Sequence, residues 1–112
     1  MATSKTDLFN KELQQKANLF KTLSHPARLQ ILLYLAKSKK CITGDISEYF
    51  PLGRGTVNQH MKELKEAKLI IGHKEGSKTV YCLNQSKIKE LEEVLGCFLK
   101  EMQLPADFCC CL

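Results

Sequence analysis

The sequence predicts a mainly α-helical (α+β) domain with one β-hairpin, and two observations support this fold class. Apolar residues recur at intervals of three and four over most of the 112-residue chain, which is the period of a helix. The period changes to two between residues 69 and 84, on both sides of the turn sequence Glu75-Gly76-Ser77. A chain of this length holds one domain. We expect that domain to span residues 1–104 and a cysteine-rich tail to span residues 105–112.

Two amphipathic helices are predicted in the N-terminal third. The first covers residues 7–23, where apolar side chains fall near helical spacing. The second is capped by Ser24 and has Pro26 in its first turn, where the missing N–H costs no hydrogen bond. Its leucines make it a core helix, and it ends in residues 37–40, three of which are lysines.

A short helix and a polar-faced helix follow. Thr43 is the predicted cap of a short helix over residues 44–50, which Pro51 ends. The next helix, residues 54–67, places apolar side chains on one side only. Its other side mixes amides, hydroxyls and cations.

The hairpin and a last helix complete the predicted fold. The strands cover residues 69–74 and 78–84, and the last helix runs from a cap at Ser86 to about Leu104, because Pro105 disfavours helix before it. Its apolar stripe is wider than a lone terminal helix needs, which implies a partner helix. The order α-α-α-α-β-β-α is that of a winged helix-turn-helix, in which the polar-faced helix enters the DNA major groove.

Charge divides the chain into a basic part and an acidic part. The formal net charge is +5, with +4 on residues 1–50, +3 on residues 51–84 and −2 on residues 85–112. An anionic partner is therefore expected. Nucleic acid is favoured over membrane, because no run approaches the ~18 apolar residues of a spanning helix and no signal-peptide pattern follows Met1. We expect a cytoplasmic protein that is not an enzyme and uses no organic cofactor.

Two motifs and the hairpin fall at the spacing of a bacterial regulator family. The motifs are KTLSHPARLQIL at residues 21–32 and TVNQHMKELKEA at residues 56–67, within a similar region from about Lys16 to Asn84. With the hairpin through Tyr81, they resemble the ArsR/SmtB family of metal- and metalloid-sensing repressors. The resemblance implies a winged-helix homodimer, paired through its first and last helices, that leaves operator DNA when metal binds.

The chain departs from the family pattern at two positions. The family usually has Gly where Lys68 stands, and a side chain in that left-handed geometry costs roughly 1 kcal/mol. Arsenic-responsive members often carry Cys-x-Cys at the start of the third helix, whereas Cys41-Ile42-Thr43 keeps the first thiol only.

The polar side of the 54–67 helix carries side-chain types that contact DNA. Asn and Gln pair with adenine edges, Arg with guanine, and Thr meets a thymine methyl, whereas Lys attracts phosphate. The alternative is a solvated polar face, and His60 has the further alternative of packing inside. The predicted DNA-contacting residues are Arg54, Thr56, Asn58, Gln59, His60, Lys62 and Lys65 on the helix, with Lys74 and Lys78 on the hairpin.

Six cysteines are the other unusual feature of the composition. Without an export signal, disulfides are not expected. Thiolates are soft ligands that suit Zn and, by the same logic, trivalent arsenic or antimony. We predict a site built from Cys41, Cys109, Cys110 and Cys111, within one subunit or across two, with As(III) or Sb(III) as inducer and Zn or Cd as further candidates.

Two alternatives concern the thiols. A redox or persulfide sensor would pair two of Cys41, Cys97 and Cys109, and a disordered tail would carry its cysteines incidentally. Cys97 lies about 140° from the centre of the last helix's apolar stripe, which favours an exposed cysteine that takes no part in the thiol site. Cys82 is most simply a small buried apolar residue. A histidine-rich Zn or Ni site is disfavoured, because no His follows His73.

Overall fold

The computed structural model describes residues 8–38, 42–43, 46–76 and 78–105 of the chain. In these ranges the order of elements is that of the predicted winged helix-turn-helix, which confirms the fold class. The elements are α1 (Lys11–Leu23), α2 (Pro26–Ser38), β1 (Ile42–Thr43), a 3-10 helix (Ile46–Tyr49), α3 (Arg54–Glu66), β2 (Ile70–Glu75), β3 (Lys78–Leu83) and α4 (Gln85–Glu101).

The structure differs from the sequence-based expectation between α2 and α3. A single 3-10 helix stands where a short α-helix was predicted, and Ile42–Thr43 adds a strand that was not predicted. This strand is only two residues long, so it leaves no alternating pattern in the sequence. Of the described helices, none has the length and apolar character that crossing a membrane requires.

Helix α1 begins later than predicted because its cap is Asn10. The Leu13 N–H donates to the Asn10 side-chain oxygen over 2.9 Å, so the helix begins at Lys11 rather than near residue 7. The predicted cap of α2, Ser24, instead donates through its hydroxyl to the carbonyl of Lys21 at the end of α1.

The three strands form one antiparallel sheet in the order β1-β3-β2. In the β2/β3 hairpin, Gly72 stands opposite Tyr81, and a Cβ on Gly72 would lie 3.1 Å from the Tyr81 ring. The tyrosine therefore packs on bare backbone, and a side chain at position 72 would require its ring to shift. The hairpin turns at Gly76, whose φ is +65°.

The core lies where α2, the 3-10 helix, α3 and the hairpin meet. Helix α3 contributes Val57, Met61 and Leu64 to it at intervals of four and three, and Val57 and Leu64 are completely buried. Burial of each such side chain stabilises the fold by about 1.5–3 kcal/mol. This inward row orients α3 and leaves its polar side facing outward. The core residues are Ile31, Leu35, Ile46, Phe50, Val57, Met61, Leu64, Leu69, Ile70 and Leu91.

Helix α3 ends in a left-handed turn at Lys68. Lys68 has a φ of +65°, a geometry that glycine usually supplies at the end of a helix. Its N–H donates to the Lys65 carbonyl over 2.9 Å, and the Leu69 N–H donates to the Leu64 carbonyl over 3.0 Å. These bonds satisfy the last carbonyls of the helix, so the turn persists despite the lysine side chain.

Asn84 joins the end of α3 to the start of α4. Its side-chain nitrogen donates to the Lys68 carbonyl over 2.9 Å, and its backbone N–H donates to the Leu69 carbonyl over 2.9 Å. Its side-chain oxygen accepts from the Lys87 N–H over 3.4 Å. Asn84 therefore caps α4 in place of the predicted Ser86, and α4 begins at Gln85.

Candidate nucleic-acid interface

The outward side of α3 brings together most of the residues predicted to contact DNA. The inward row of α3 is packed in the core, so the residues between its members face solvent. Along this side the Gln59 amide nitrogen donates to the Glu63 carboxylate, one turn further on, over 3.4 Å. We call this surface the α3 outer face; its members, all exposed or half-buried, are Arg54, Thr56, Asn58, Gln59, Lys62 and Lys65.

His60 does not belong to the α3 outer face, because the structure buries its side chain. Its side chain is 8% exposed and lies on the inner side of α3. The Arg28 Nε donates to its Nδ1 over 3.2 Å, and its ring lies 4.3 Å from the ring of His25. His60 therefore packs inside the protein, which is the other alternative given for it above.

An ion pair between Arg28 on α2 and Glu63 on α3 fixes α3 against the preceding helices. The Arg28 side chain is 16% exposed, and its guanidinium contacts the Glu63 carboxylate. The same guanidinium donates to the Thr22 carbonyl over 3.1 Å, near the end of α1. Sequence reasoning missed this role, although an arginine within an apolar helix is a signal for a buried partner.

The charge state of His60 supports this arrangement. Burial, followed by the nearby His25 and Arg28, lowers the pKa of His60 below its ordinary value of 6.5. Neutral imidazole has an acceptor nitrogen for the Arg28 N–H, whereas the protonated ring has none. Protonation of His60 would therefore break a bond that holds α2 to α3.

The hairpin supplies the second part of the predicted interface. Lys74 on β2 is exposed, near an exposed pair in which the His73 Nε2 and the Glu75 carboxylate are 3.3 Å apart. The backbone of Lys78 begins β3, but its side chain lies outside the described part of the structure. The exposed Lys74 thus gives the hairpin a positive charge that lies outside the core against which α3 packs.

A second exposed surface is apolar and is formed by α1 and α4. The rings of Phe20 and Phe98 lie 5.4 Å apart and join the two helices. All residues of both helices are described; α1 has none that is fully buried, and α4 has Leu91 alone. We call this surface the α1/α4 face; its large exposed side chains are Leu13, Leu95, Leu99 and Met102.

The predicted thiol ligands lie outside the described residues: they are Cys41, Cys109, Cys110 and Cys111. Among the residues that the structure does describe, no group of three His, Cys, Asp or Glu side chains is placed to hold a metal ion. Cys97 is an exposed free thiol on α4. Cys82 on β3 is disulfide-bonded, which the sequence-based prediction did not include.

Comparisons with known proteins agree with this architecture. The family described as "Bacterial regulatory protein, arsR family" matches residues 25–71. The transcriptional repressor SdpR of Bacillus subtilis (strain 168) is 34% identical over 73 residues, covering 65% of this chain and 80% of that protein. The arsenical resistance operon repressor of Staphylococcus xylosus is 31% identical over 98 residues, covering 80% of this chain and 93% of that protein. The solved structure of HlyU from Vibrio cholerae N16961 superposes with a TM-score of 0.62 at 26% identity, covering 78% of this chain and 94% of that one. The chain belongs to the arsR family of bacterial regulatory proteins, and it is a DNA-binding transcriptional repressor rather than an enzyme.

Proposed function

We propose that this repressor binds its operator through the α3 outer face and that a thiophilic metalloid releases it. The observation that carries the DNA part is the outward placement of six polar side chains on one side of a helix whose other side is locked in the core. In this proposal Arg54, Thr56, Asn58 and Gln59 contact base edges, since they lie in the first turns of α3. Lys62, Lys65, Lys74 and Lys78 contact phosphates.

The α1/α4 face would pair two subunits into a homodimer. Its exposed leucines make it unlike the α3 outer face, and a second copy offers the same apolar surface. In helix-turn-helix dimers the two recognition helices enter successive major grooves one helical turn apart. Pairing through α1 and α4 would leave both copies of α3 free for the two halves of an operator.

The release step would depend on cysteine thiolates in a reducing cytoplasm. Residues 105–112 form the proposed cysteine-rich tail, and Cys109, Cys110 and Cys111 with Cys41 would hold As(III) or Sb(III). Zn or Cd are further candidates. The Staphylococcus xylosus relative is named for arsenical resistance, which favours arsenic as the inducer. To act as a switch, the ligand must bind the released conformation more tightly by roughly 1–3 kcal/mol.

Operator binding measured by fluorescence anisotropy tests this proposal. The reduced protein is titrated with arsenite, antimonite, Zn and Cd, and arsenite is expected to release the DNA at the lowest concentration. The triple variant Cys109→Ser, Cys110→Ser, Cys111→Ser should bind the operator normally but resist release. The matched control is Cys97→Ser, which changes an exposed free thiol outside the proposed site. A triple variant that releases DNA at the wild-type arsenite concentration contradicts the tail site.

A redox-sensing repressor on the same scaffold is the second candidate function. The disulfide at Cys82 favours it, because a cysteine that forms a disulfide can be oxidised and reduced. Operator affinity that changes with peroxide treatment, together with no response to arsenite, would favour this candidate over the metalloid sensor.

A further inference from the structure

Gly55 stands in the first turn of α3, where nothing in the described chain requires a glycine. It is exposed, and its φ lies outside the left-handed region, which among the described glycines only Gly76 adopts. Apart from its two chain neighbours and the backbone of its own helix, the described chain has no atom within 4 Å of the place that a Cβ would take. Backbone geometry and packing would therefore both accept a side chain at position 55.

A glycine at this position weakens the helix without a benefit inside the described chain. Glycine loses more backbone freedom on folding than any other residue, and it forms helices less readily than alanine does. One of its usual roles is to let the backbone come close to a ligand. A helical glycine in open space thus indicates a close approach by a partner from outside the chain.

Gly55 lies near the midline of the α3 outer face. The inward row of α3 consists of Val57, Met61 and Leu64. At about 100° per residue, Gly55 lies about 150° around the helix axis from the centre of that row. Gln59 follows it one turn later on the same side of the helix. The missing side chain therefore leaves a gap in the part of the first turn that faces away from the core.

The fit of a helix in the DNA major groove gives this gap a role. The groove is about 12 Å wide, and an α-helix with its side chains is about 10–12 Å across. The helix therefore fills the groove, and a side chain at its midline limits how far it can insert. We propose that Gly55 is a positioning residue, whose missing side chain lets the first turn of α3 lie close to the base edges of double-stranded DNA. This role rests on the proposed function, in which the α3 outer face contacts base edges.

Gly55 would act through the side chains around it. Arg54 and Thr56 are its neighbours in sequence, and Asn58 and Gln59 lie within about one turn of it. Their hydrogen bonds to bases need donor and acceptor to be about 2.7–3.2 Å apart. A methyl group between α3 and the bases is large enough to move these atoms out of that range. The polar edges of the bases would then lose their partners in the protein.

A graded series of substitutions at position 55 tests the proposal. The full chain is titrated against a labelled duplex that the wild type has selected from a library of random sequences. Gly55→Ala should weaken binding by about tenfold or more, the size of one lost base contact, and Gly55→Leu should weaken it further. Binding to a scrambled duplex should change less, because phosphate contacts carry no sequence information. Wild-type affinity for the selected duplex in both variants overturns the proposal.

Thermal unfolding of the free protein separates positioning from a loss of structure. Alanine and leucine are better helix formers than glycine, so both variants should melt at the wild-type temperature or above it. Stability and specific affinity are thus expected to change in opposite directions. Affinity that falls only together with the melting temperature contradicts a positioning role.

Gly96→Ala is the matched control, because Gly96 is a glycine inside α4 and a Cβ there also has open space around it. It is not one of the large apolar side chains that define the α1/α4 face. This variant should also melt no lower than the wild type, and it should keep the wild-type mass and affinity. An equal loss of affinity in Gly96→Ala would show that position 55 has no special role.

A double-mutant cycle with Gln59→Ala tests how Gly55 acts. If alanine at position 55 lifts α3 away from the bases, the contact of Gln59 is already lost. The double variant should then bind about as weakly as Gly55→Ala alone. Fold-losses that multiply in full contradict this mechanism.

The same titrations distinguish failure of this inference from failure of the proposed function. If Gln59→Ala and Arg54→Ala weaken binding while Gly55→Ala does not, the role of Gly55 alone is wrong. If all three variants bind the selected duplex like the wild type, the α3 outer face does not read the bases, and the role of Gly55 is excluded with it.

Discussion

Helices α3 and α4 both expose much of their surface to solvent, but of the two only α4 exposes large apolar side chains. Helix α3 buries four residues and exposes amides, hydroxyls and cations, whereas α4 buries Leu91 and exposes leucines, with a methionine at its end. A polar, cationic surface gains little from contact with another protein but attracts phosphate. An apolar surface gains from being covered. The comparison supports the proposal that α3 contacts nucleic acid and that α4, with α1, contacts a second subunit.

The largest expected effect comes from placing a charge on the α1/α4 face. Leu99 is 61% exposed in the single chain, and Leu99→Glu would bury a carboxylate in the proposed dimer interface. A monomer engages one half-site only, so operator affinity should fall by about 10²–10⁴-fold. Light scattering after size exclusion reports the mass, and anisotropy reports the affinity.

The matched control is Leu33→Glu on α2, because Leu33 is 59% exposed and lies outside the α1/α4 face. It should leave both measurements near the wild-type values. A Leu99→Glu protein that remains a dimer would contradict the proposal that α4, unlike α3, contacts a second subunit.

The next largest effect is expected at the base-contacting end of α3. Arg54→Ala and Gln59→Ala should each reduce the preference for operator over unrelated DNA by about 1–3 kcal/mol, because each removes one base contact. The mass of the protein should not change. Competition binding with a scrambled duplex checks this prediction. Unaltered specific binding in both variants would exclude the α3 outer face from sequence recognition.

A smaller effect is expected where α3 meets phosphate. Lys62→Gln should weaken binding to all duplexes alike and reduce the slope of log Kd against log salt by about 0.9 for each phosphate that the protein no longer neutralises. Lys100→Gln, which changes an exposed cation at the end of α4, serves as the control. Equal slopes for the wild type and Lys62→Gln would place this lysine away from the DNA.

The smallest effect concerns the inner side of α3 and depends on pH. The pKa of His60 is lowered in the folded protein by burial and by His25 and Arg28. The unfolded chain therefore binds the proton at higher pH than the folded one. The free energy of unfolding should keep its full value above a pH of about 6.5, the ordinary pKa of histidine. It should fall as the pH drops from there to the lower pKa that His60 has in the folded protein.

Urea unfolding at several pH values between about 7.5 and 5.5 checks this prediction. His60→Gln should show a flatter dependence, while His73→Gln, which changes an exposed histidine of the hairpin, should retain the wild-type slope. Identical slopes for His60→Gln and the wild type would show that a group other than His60 controls the loss of stability at low pH.

Much of the fold could be predicted because local periodicity determines it. The bounds of α3 followed from Val57, Met61 and Leu64, whose side chains recur at helical spacing and are buried together. The same spacing puts His60 on their side of the helix, whereas its predicted DNA contact rested on its residue type rather than on its position. The Arg28 contacts and the register of β1 on β3 join residues far apart in sequence, and single-sequence patterns do not contain such contacts.

Asn84 links the C-terminal end of α3 directly to α4, which carries part of the proposed dimer surface. Its amide and backbone hold the turn that ends α3, and its oxygen holds the first turn of α4, so a tilt of α4 carries the end of α3 with it. Thirteen residues at 1.5 Å each make α3 about 20 Å long. A pivot of about 10° at Asn84 then moves the far end, where Arg54 stands, by about 3 Å. That displacement equals the length of a hydrogen bond, so in the proposed dimer a small rotation between subunits would be sufficient to break the proposed base contacts.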